Sequence, residues 1–174
     1  MTTEWLTSAW PAGLWRRWLV DRGSLTRRLQ ARCPRFRLRR LSQGITRPNR
    51  DEYATLGLYP GRVALVREVL LMDGEVPLVF AHSVIPLPGL KGPWADLSGL
   101  GNKPLGAALF GNPCVGRHAL EFKRLDRRHP LYRQAAAQID GLPRRLWARR
   151  SPFSLDGHPI LVTEVFLPAT LELS

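Results

Sequence analysis

The sequence predicts an α+β fold in which helices cover a single antiparallel sheet of about six strands. Two observations lead to this prediction. The spacing of apolar residues changes from a period of about 3.6 to a period of two near Arg35, which indicates helices followed by strands. Two later segments share one design, with apolar strands on both sides of an Asp-Gly pair, at Asp73-Gly74 and at Asp156-Gly157. Two related hairpins fit most simply into one antiparallel sheet.

Length and composition limit the chain to one domain. It has 174 residues, of which 44% are hydrophobic and 23% are charged, so it can bury a core and is not disordered by composition. We expect one domain over residues 1–174, with N-terminal helices over 1–34 and a sheet with helical insertions over 35–168.

The first 34 residues carry two helical patterns. Pro11 suits the first position of a helix, and an apolar face follows it at Leu14, Trp15, Trp18 and Leu19. Gly23 ends this helix, and Ser24 is a natural N-cap for a second helix that runs to about Arg32.

Strands dominate from Arg35 onward. Residues 36–45 alternate apolar and basic side chains, as a half-exposed strand does, whereas residues 62–72 form an almost continuous apolar run. The Asp73-Gly74 turn predicts a return strand over 76–86, and a loop rich in proline and glycine follows it. Further helical patterns occur over 94–100, 104–110 and 131–139. Further strand patterns occur over 115–125, 144–155 and 158–168.

The net charge of +12 is concentrated in two segments, residues 1–50 with +10 and residues 123–150 with +7. A positive field favours anionic partners, either nucleic acid or a small polycarboxylate, although a solvated arginine-rich surface is the alternative. No helix-turn-helix or RNA-binding signature accompanies the arginines, so we expect no nucleic-acid partner.

Other features predict a cytoplasmic monomer. Cys33 and Cys114 form neither a CxxC motif nor a ligand pair, which favours a reducing compartment. The opening MTTEWLTSAW lacks the basic segment of a secretory signal, and no apolar run approaches the ~18 residues of a membrane span. The sequence shows no exposed apolar seam that would indicate an oligomer.

Two charged residues interrupt apolar strand faces. Arg67 shares its face with Val63, Leu65, Val69 and Leu71, and Glu164 shares its face with Ile160, Val162 and Phe166. An unpaired ion on such a face costs several kcal/mol, so each must be paired or must bind a ligand. Either the two form a structural ion pair, or one sheet face is wet, or they line a pocket for a small ring that carries a carboxylate and a hydroxyl.

Familiar cofactor and metal motifs are missing from the sequence. The four histidines show no HxxH or HxH spacing, the segment GLGNKPLG lacks the pattern of a phosphate-binding loop, and no GxSxG is present. We therefore expect no metal and no cofactor.

Four blocks of the sequence resemble the chorismate lyase family. They are DRGSLTRRL, LVREVLLMDGEVPLVFAHSVIP, NKPLGAALF and LDGHPILVTEVFLPA, and the resemblance covers most of the chain. The arginine within VRE and the glutamate within TEVFLPA are its most specific features. Members of this family remove pyruvate from chorismate without a cofactor and leave 4-hydroxybenzoate, at the entry to ubiquinone biosynthesis.

The resemblance implies a role for five residues. Arg67 would hold the ring carboxylate and Glu164 would lie beside the 4-hydroxyl group, and these two would be catalytic. Leu105 would bind through its backbone amide, and Leu25 stands where the family often has methionine. His82 stands where relatives can carry arginine, so if its ring faces the pocket, the charge available to the second carboxylate of chorismate depends on pH.

The resemblance also implies helical flaps over an internal ligand site, with tight retention and slow release of the product. The alternative is a non-catalytic effector-binding domain, because the sheet architecture also resembles the ligand domain of certain bacterial regulators. Such a regulator carries a winged helix before this domain. Only about 30 residues precede the first predicted strand here, so we expect the enzyme.

Overall fold

The computed structural model describes residues 4–173, so residues 1–3 and 174 of the predicted domain lie outside the described residues. Seven strands of this part of the chain form one antiparallel sheet: β1 (Phe36–Thr46), β2 (Ala64–Asp73), β3 (Val76–Pro86), β4 (Gly116–Arg117), β5 (Glu121–Asp126), β6 (Arg145–Leu155) and β7 (His158–Phe166). The predicted α+β class with a single sheet is confirmed.

The two predicted hairpins lie side by side in the sheet. The strand order is β1-β2-β3-β7-β6-β4, and β5 also pairs with β6. The hairpins β2–β3 and β6–β7 therefore join through their return strands. The sheet has seven strands instead of six because the segment 115–125, predicted as one strand, divides into β4 and β5.

Positive-φ residues close both hairpins, but at different positions relative to the aspartate. In the second hairpin, Asp156 and Gly157 are the central turn residues, with φ angles of 47° and 77°. In the first, Asp73 is still the last residue of β2, and the central residues are Gly74, with a φ of 56°, and Glu75. Glycine adopts positive φ without strain, so in the first hairpin the glycine determines where the turn lies.

The helices among residues 4–173 are short: α1 (Arg16–Leu19), α2 (Leu25–Gln30), α3 (Leu87–Leu90), α4 (Leu105–Gly111) and α5 (Pro130–Ala136). Turns of 3-10 helix occur at Trp10–Trp15, Ala95–Gly99 and Pro168–Glu172. Within the same residues, no helix combines the length and the apolar character that spanning a bilayer requires.

One helix prediction and one loop prediction are wrong in part. The first predicted helix is a 3-10 helix followed by the single turn α1, and Gly13, with a φ of 53°, breaks its regularity. The loop predicted after β3 begins with α3. The second predicted helix is confirmed as α2, and the Ser24 hydroxyl caps it by accepting a hydrogen bond from the backbone N–H of Arg27 at 3.3 Å.

The sheet has two buried faces, which we call the site face and the rear face. Arg67, Val69 and Leu71 of β2 belong to the site face, which packs against the N-terminal helices and α4. Glu68 and Leu70 belong to the rear face, which packs against α5 and the loop between β1 and β2. Since side chains alternate along a strand, each residue of the central strands can be assigned to one face.

Candidate functional site

A cavity lies between the site face of the sheet and the helices α2 and α4. Arg67 and Glu164 line it from the sheet, and Leu25 and Leu105 line it from the two helices. All five predicted site residues, including His82, border this one cavity, with Arg117, Phe110 and Phe153 beside them. The roles of these residues stay predictions.

Helices α2 and α4 meet over the cavity. Leu25 and Leu105 are their first residues, and both side chains are buried. At Gly106 an added Cβ would lie 3.2 Å from the Ser24 hydroxyl oxygen and 3.4 Å from that of Thr26. The glycine therefore lets the two helices approach each other closely, as helical flaps over an internal site require.

Arg67 is a buried cation that has no carboxylate partner among the described residues. It is 4% exposed, and its Nη2 donates hydrogen bonds to the carbonyl oxygens of Gly101 at 3.1 Å and Lys103 at 2.9 Å. Its Nε is buried without any hydrogen-bond partner. Burial lowers the pKa of the guanidinium, and the charge of Arg40 lowers it further. A bound anion would compensate this desolvated charge.

Glu164 is paired with Arg149 and not with Arg67. Arg149 lies directly opposite Glu164 in the β6–β7 ladder, and its Nε donates to Glu164 Oε2 at 2.5 Å. The Arg149 side chain is 1% exposed, whereas the Glu164 side chain is 15% exposed and lines the cavity. The predicted alternative of an Arg67–Glu164 ion pair is therefore wrong.

Arg149 also holds the N-terminal segment against the sheet. Its Nη1 donates to the carbonyl oxygens of Trp18 at 3.0 Å, Leu19 at 3.3 Å and Asp21 at 2.5 Å. These carbonyls lie at the end of α1 and in the linker to α2, which covers the cavity. One guanidinium therefore fixes both the carboxylate of Glu164 and the base of a flap.

Arg117 is a second arginine of the cavity lining. Its Nε donates to the Ser151 hydroxyl oxygen at 3.0 Å, and its Nη1 contacts the carbonyl oxygen of Arg22. Its Cζ lies 5.2 Å from the ring centres of both Phe110 and Phe153. Burial lowers its pKa to about 10, so it stays protonated at neutral pH.

His82 borders the cavity, but its ring lies on the rear face. Its Nδ1 is 3.2 Å from Glu68 Oε1 and its Nε2 is 3.1 Å from Glu52 Oε1. Burial alone would lower the pKa of His82, but the hydrogen bonds and charges of the two glutamates outweigh it and raise the pKa to about 9. The expectation that His82 supplies a pH-dependent charge to the ligand required its ring to face the pocket. That condition is not met.

We expect this buried cluster to make stability depend on pH. The folded-state pKa of His82, about 9, lies above the ordinary 6.5, so its stabilisation is complete below pH 6.5 and is lost as the pH rises through 9. The difference corresponds to about 3 kcal/mol of unfolding free energy. Urea unfolding at a series of pH values measures it. The His82→Gln variant should be less stable at pH 6 and should show a flatter dependence, and equal slopes in the two proteins would contradict the prediction.

A comparison with protein families shows to which family the chain belongs. The family model described as "Chorismate lyase" matches residues 4–172. The chain belongs to the chorismate lyase family. Among the described residues of this family member, no three metal-ligating side chains come together as a metal site would require.

Curated relatives agree with this membership. A protein of Thiobacillus denitrificans named "Probable chorismate pyruvate-lyase" is 49% identical over 96% of this chain and 90% of its own length. A protein of Nitrosospira multiformis with the same name is 50% identical over 91% of this chain and 89% of its own length.

Solved structures with the same fold include two of PhnF. The C-terminal domain of PhnF has a TM-score of 0.59 at 13% identity and covers 80% of this chain and 86% of that chain. PhnF from Mycobacterium smegmatis has a TM-score of 0.55 at 15% identity and covers 87% of this chain and 66% of that chain. At these identities the similarity shows only that this member of the chorismate lyase family shares its fold with those proteins.

Sequence reasoning did not find two arginines at this cavity. Arg149 follows Trp147 and precedes Ser151 on the site face, so the rule that identified Arg67, a charge on an apolar strand face, also applies to it. Arg117 offers no such signal, because its strand β4 has only two residues and therefore no alternation to read.

Proposed function

We propose that this protein is a chorismate pyruvate-lyase, which eliminates pyruvate from chorismate and leaves 4-hydroxybenzoate. One structural observation supports the proposal independently of family membership. The buried Arg67, which lacks a carboxylate partner among the described residues, and the carboxylate of Glu164 line the same cavity. A cyclic acid with a hydroxyl group at its other end would satisfy both groups.

The reaction makes few demands on a protein. Loss of the C4 hydrogen as a proton and cleavage of the bond between C3 and the enolpyruvyl oxygen give an aromatic ring and the enol of pyruvate, which ketonises. The protein must hold the anion, exclude water and assist one proton movement. Arg67 orients the ring carboxylate, and Glu164 acts at the C4 end as a hydrogen-bond acceptor or as the group that moves the proton.

Contacts of the two flaps support slow product release. Arg67 bonds to two carbonyls just before α4, and Arg149 bonds to the carbonyl of Asp21 in the linker before α2. Both helices must move aside for a ligand to leave, so we propose tight product retention and inhibition by the product.

We also propose a cellular setting for this reaction. The product, 4-hydroxybenzoate, is the ring precursor at the entry to ubiquinone biosynthesis. The two cysteines, Cys33 and Cys114, are free thiols, which supports a reducing compartment such as the cytoplasm. We propose that the protein acts there as a monomer.

Incubation of the purified protein with chorismate tests the function. We expect equal amounts of pyruvate, measured by coupled reduction with lactate dehydrogenase, and 4-hydroxybenzoate, measured by chromatography. The rate should be the same with and without EDTA, because none of the steps assigned to Arg67 and Glu164 uses a metal. Thermal stabilisation by chorismate or 4-hydroxybenzoate without any turnover would contradict the proposal and favour the effector-binding alternative of the regulator fold.

A further inference from the structure

The second carboxylate of the substrate still needs a cationic partner. Chorismate carries one carboxylate on its ring and another on the enolpyruvyl group at C3, so it is a dianion. Arg67 accounts for the ring carboxylate only, and the ring of His82 lies on the rear face between two glutamates. A second anionic group in a partly buried site needs a compensating charge.

The position of this carboxylate follows from that of Glu164. The C3 substituent is next to C4, so with Glu164 at the C4 oxygen the enolpyruvyl group lies close to Glu164. Arg149 is the nearest cation, but it is held by Glu164 and by three backbone carbonyls of the N-terminal segment. Its charge is therefore paired with that of Glu164, and only its buried Nη2 has no hydrogen-bond partner within the described part of the chain.

Arg117 lies on the strand β4, which is next to the strand β6 that carries Arg149. It is anchored to Ser151, which is two residues from Arg149 on the same face, a distance of about 7 Å along a strand. The charge of Glu164 raises the pKa of Arg117 and that of Arg149 lowers it, and both effects depend on proximity. Contact with Phe110 and Phe153 fixes the guanidinium at the cavity wall.

We propose that Arg117 binds the enolpyruvyl carboxylate of chorismate and thereby distinguishes the dianionic substrate from the monoanionic product. This inference rests on the proposed function. It predicts that Arg117 stabilises bound chorismate more than bound 4-hydroxybenzoate. The site would then lose a favourable contact when the enolpyruvyl group is cleaved.

The Arg117→Gln variant tests this assignment through two ligands. We expect kcat/KM for chorismate to fall about 30-fold or more, whereas the Kd for 4-hydroxybenzoate, measured by calorimetry, should change less than about 3-fold. Arg117→Lys keeps the charge without the planar fork and should give an intermediate kcat/KM. If Arg117→Gln does not fold, the same comparison is made with Arg117→Lys, where equal losses for both ligands would overturn the proposal.

A control is needed because Arg117 also contacts the linker before α2. Arg28 donates to the carbonyl oxygen of Arg17 at 2.7 Å and pairs with Asp21 at 3.0 Å, so it anchors the same segment, but it does not line the cavity. Arg28→Gln should therefore affect both ligands alike. A similar pattern in Arg117→Gln, or no change in either ligand, would overturn the proposal. Failure of the wild-type protein to convert chorismate would instead overturn the proposed function, so the two failures are distinguishable.

Discussion

Replacement of Arg67 by alanine is expected to weaken the binding of 4-hydroxybenzoate at least about 30-fold, or about 2 kcal/mol. The guanidinium is 4% exposed and has no carboxylate partner among residues 4–173, so a ligand carboxylate would be its counter-ion. Charge-assisted hydrogen bonds of this kind are about twice as strong as neutral ones. Calorimetric titration of the purified variant with 4-hydroxybenzoate measures the loss, and turnover of chorismate should fall with it.

Two further variants show whether the loss of affinity comes from the paired hydrogen bonds of the guanidinium. Arg67→Lys keeps a positive charge but cannot form paired hydrogen bonds with a carboxylate, so its affinity should lie between those of the wild type and the alanine variant. Arg39→Ala removes an exposed arginine from the neighbouring strand β1 and should leave the affinity unchanged. Unaltered product binding in Arg67→Ala, with the fold intact by circular dichroism, would remove Arg67 from the binding site.

The sequence predicts the fold well where local signals determine structure. The strand β3 was predicted over the residues that form it, and α2 begins at its predicted serine cap, because each signal involves neighbouring residues. The first helix was predicted less well. The apolar spacing from Leu14 to Leu19 fits an α-helix, but Gly13 at positive φ interrupts it, and a spacing pattern does not report backbone conformation.

Strand register explains which site contacts were predictable. A two-residue turn at Asp156-Gly157 places Arg149 directly opposite Glu164, so this ion pair was within reach of the sequence. In the first hairpin the turn lies one residue later than the Asp-Gly pair, and a bulge between Leu71 and Met72 shifts the ladder again. The sequence therefore did not predict which rear-face side chains of β2 and β3 lie opposite each other.

Contacts between distant segments were beyond sequence reasoning altogether. Glu52, which contacts Nε2 of His82, comes from the long loop between β1 and β2. Arg117 lies on the edge strand β4 and contacts the carbonyl oxygen of Arg22, which precedes α2. No periodicity relates these residues. They meet because the two faces of the sheet are covered by segments whose paths depend on tertiary packing.

The Glu164→Gln variant is expected to slow the chemical step at least about 100-fold, the usual size of a general acid–base contribution. The amide side chain has nearly the same shape as the carboxylate and its oxygen can still accept the hydrogen bond from Arg149 Nε, so the cavity should keep its form. What disappears is the negative charge and the ability to accept a proton at the C4 end. Single-turnover kinetics with chorismate measure the chemical step apart from product release.

The chain contains a matched control for this substitution. Glu121 Oε2 pairs with Arg150 Nε at 2.7 Å, across the β5–β6 ladder, as Glu164 pairs with Arg149 across β6–β7, but Glu121 does not line the cavity. Both glutamine variants leave a buried arginine without its acidic partner, so both should lose stability, by about 1–3 kcal/mol each.

The comparison of the two variants separates catalysis from packing. If the charge of Glu164 acts in the reaction, only Glu164→Gln slows the chemical step in a single turnover, although both variants melt at lower temperature than the wild type. If Glu164 serves only to neutralise Arg149 and hold the base of the flap, both variants should carry out the chemical step at the wild-type rate, and the carboxylate would be a structural group. Because Arg149 joins this carboxylate to the carbonyls of Trp18 and Asp21, Glu164→Gln can also speed product release. A slower chemical step together with faster release would show that one ion pair serves both the reaction and the closure of the site.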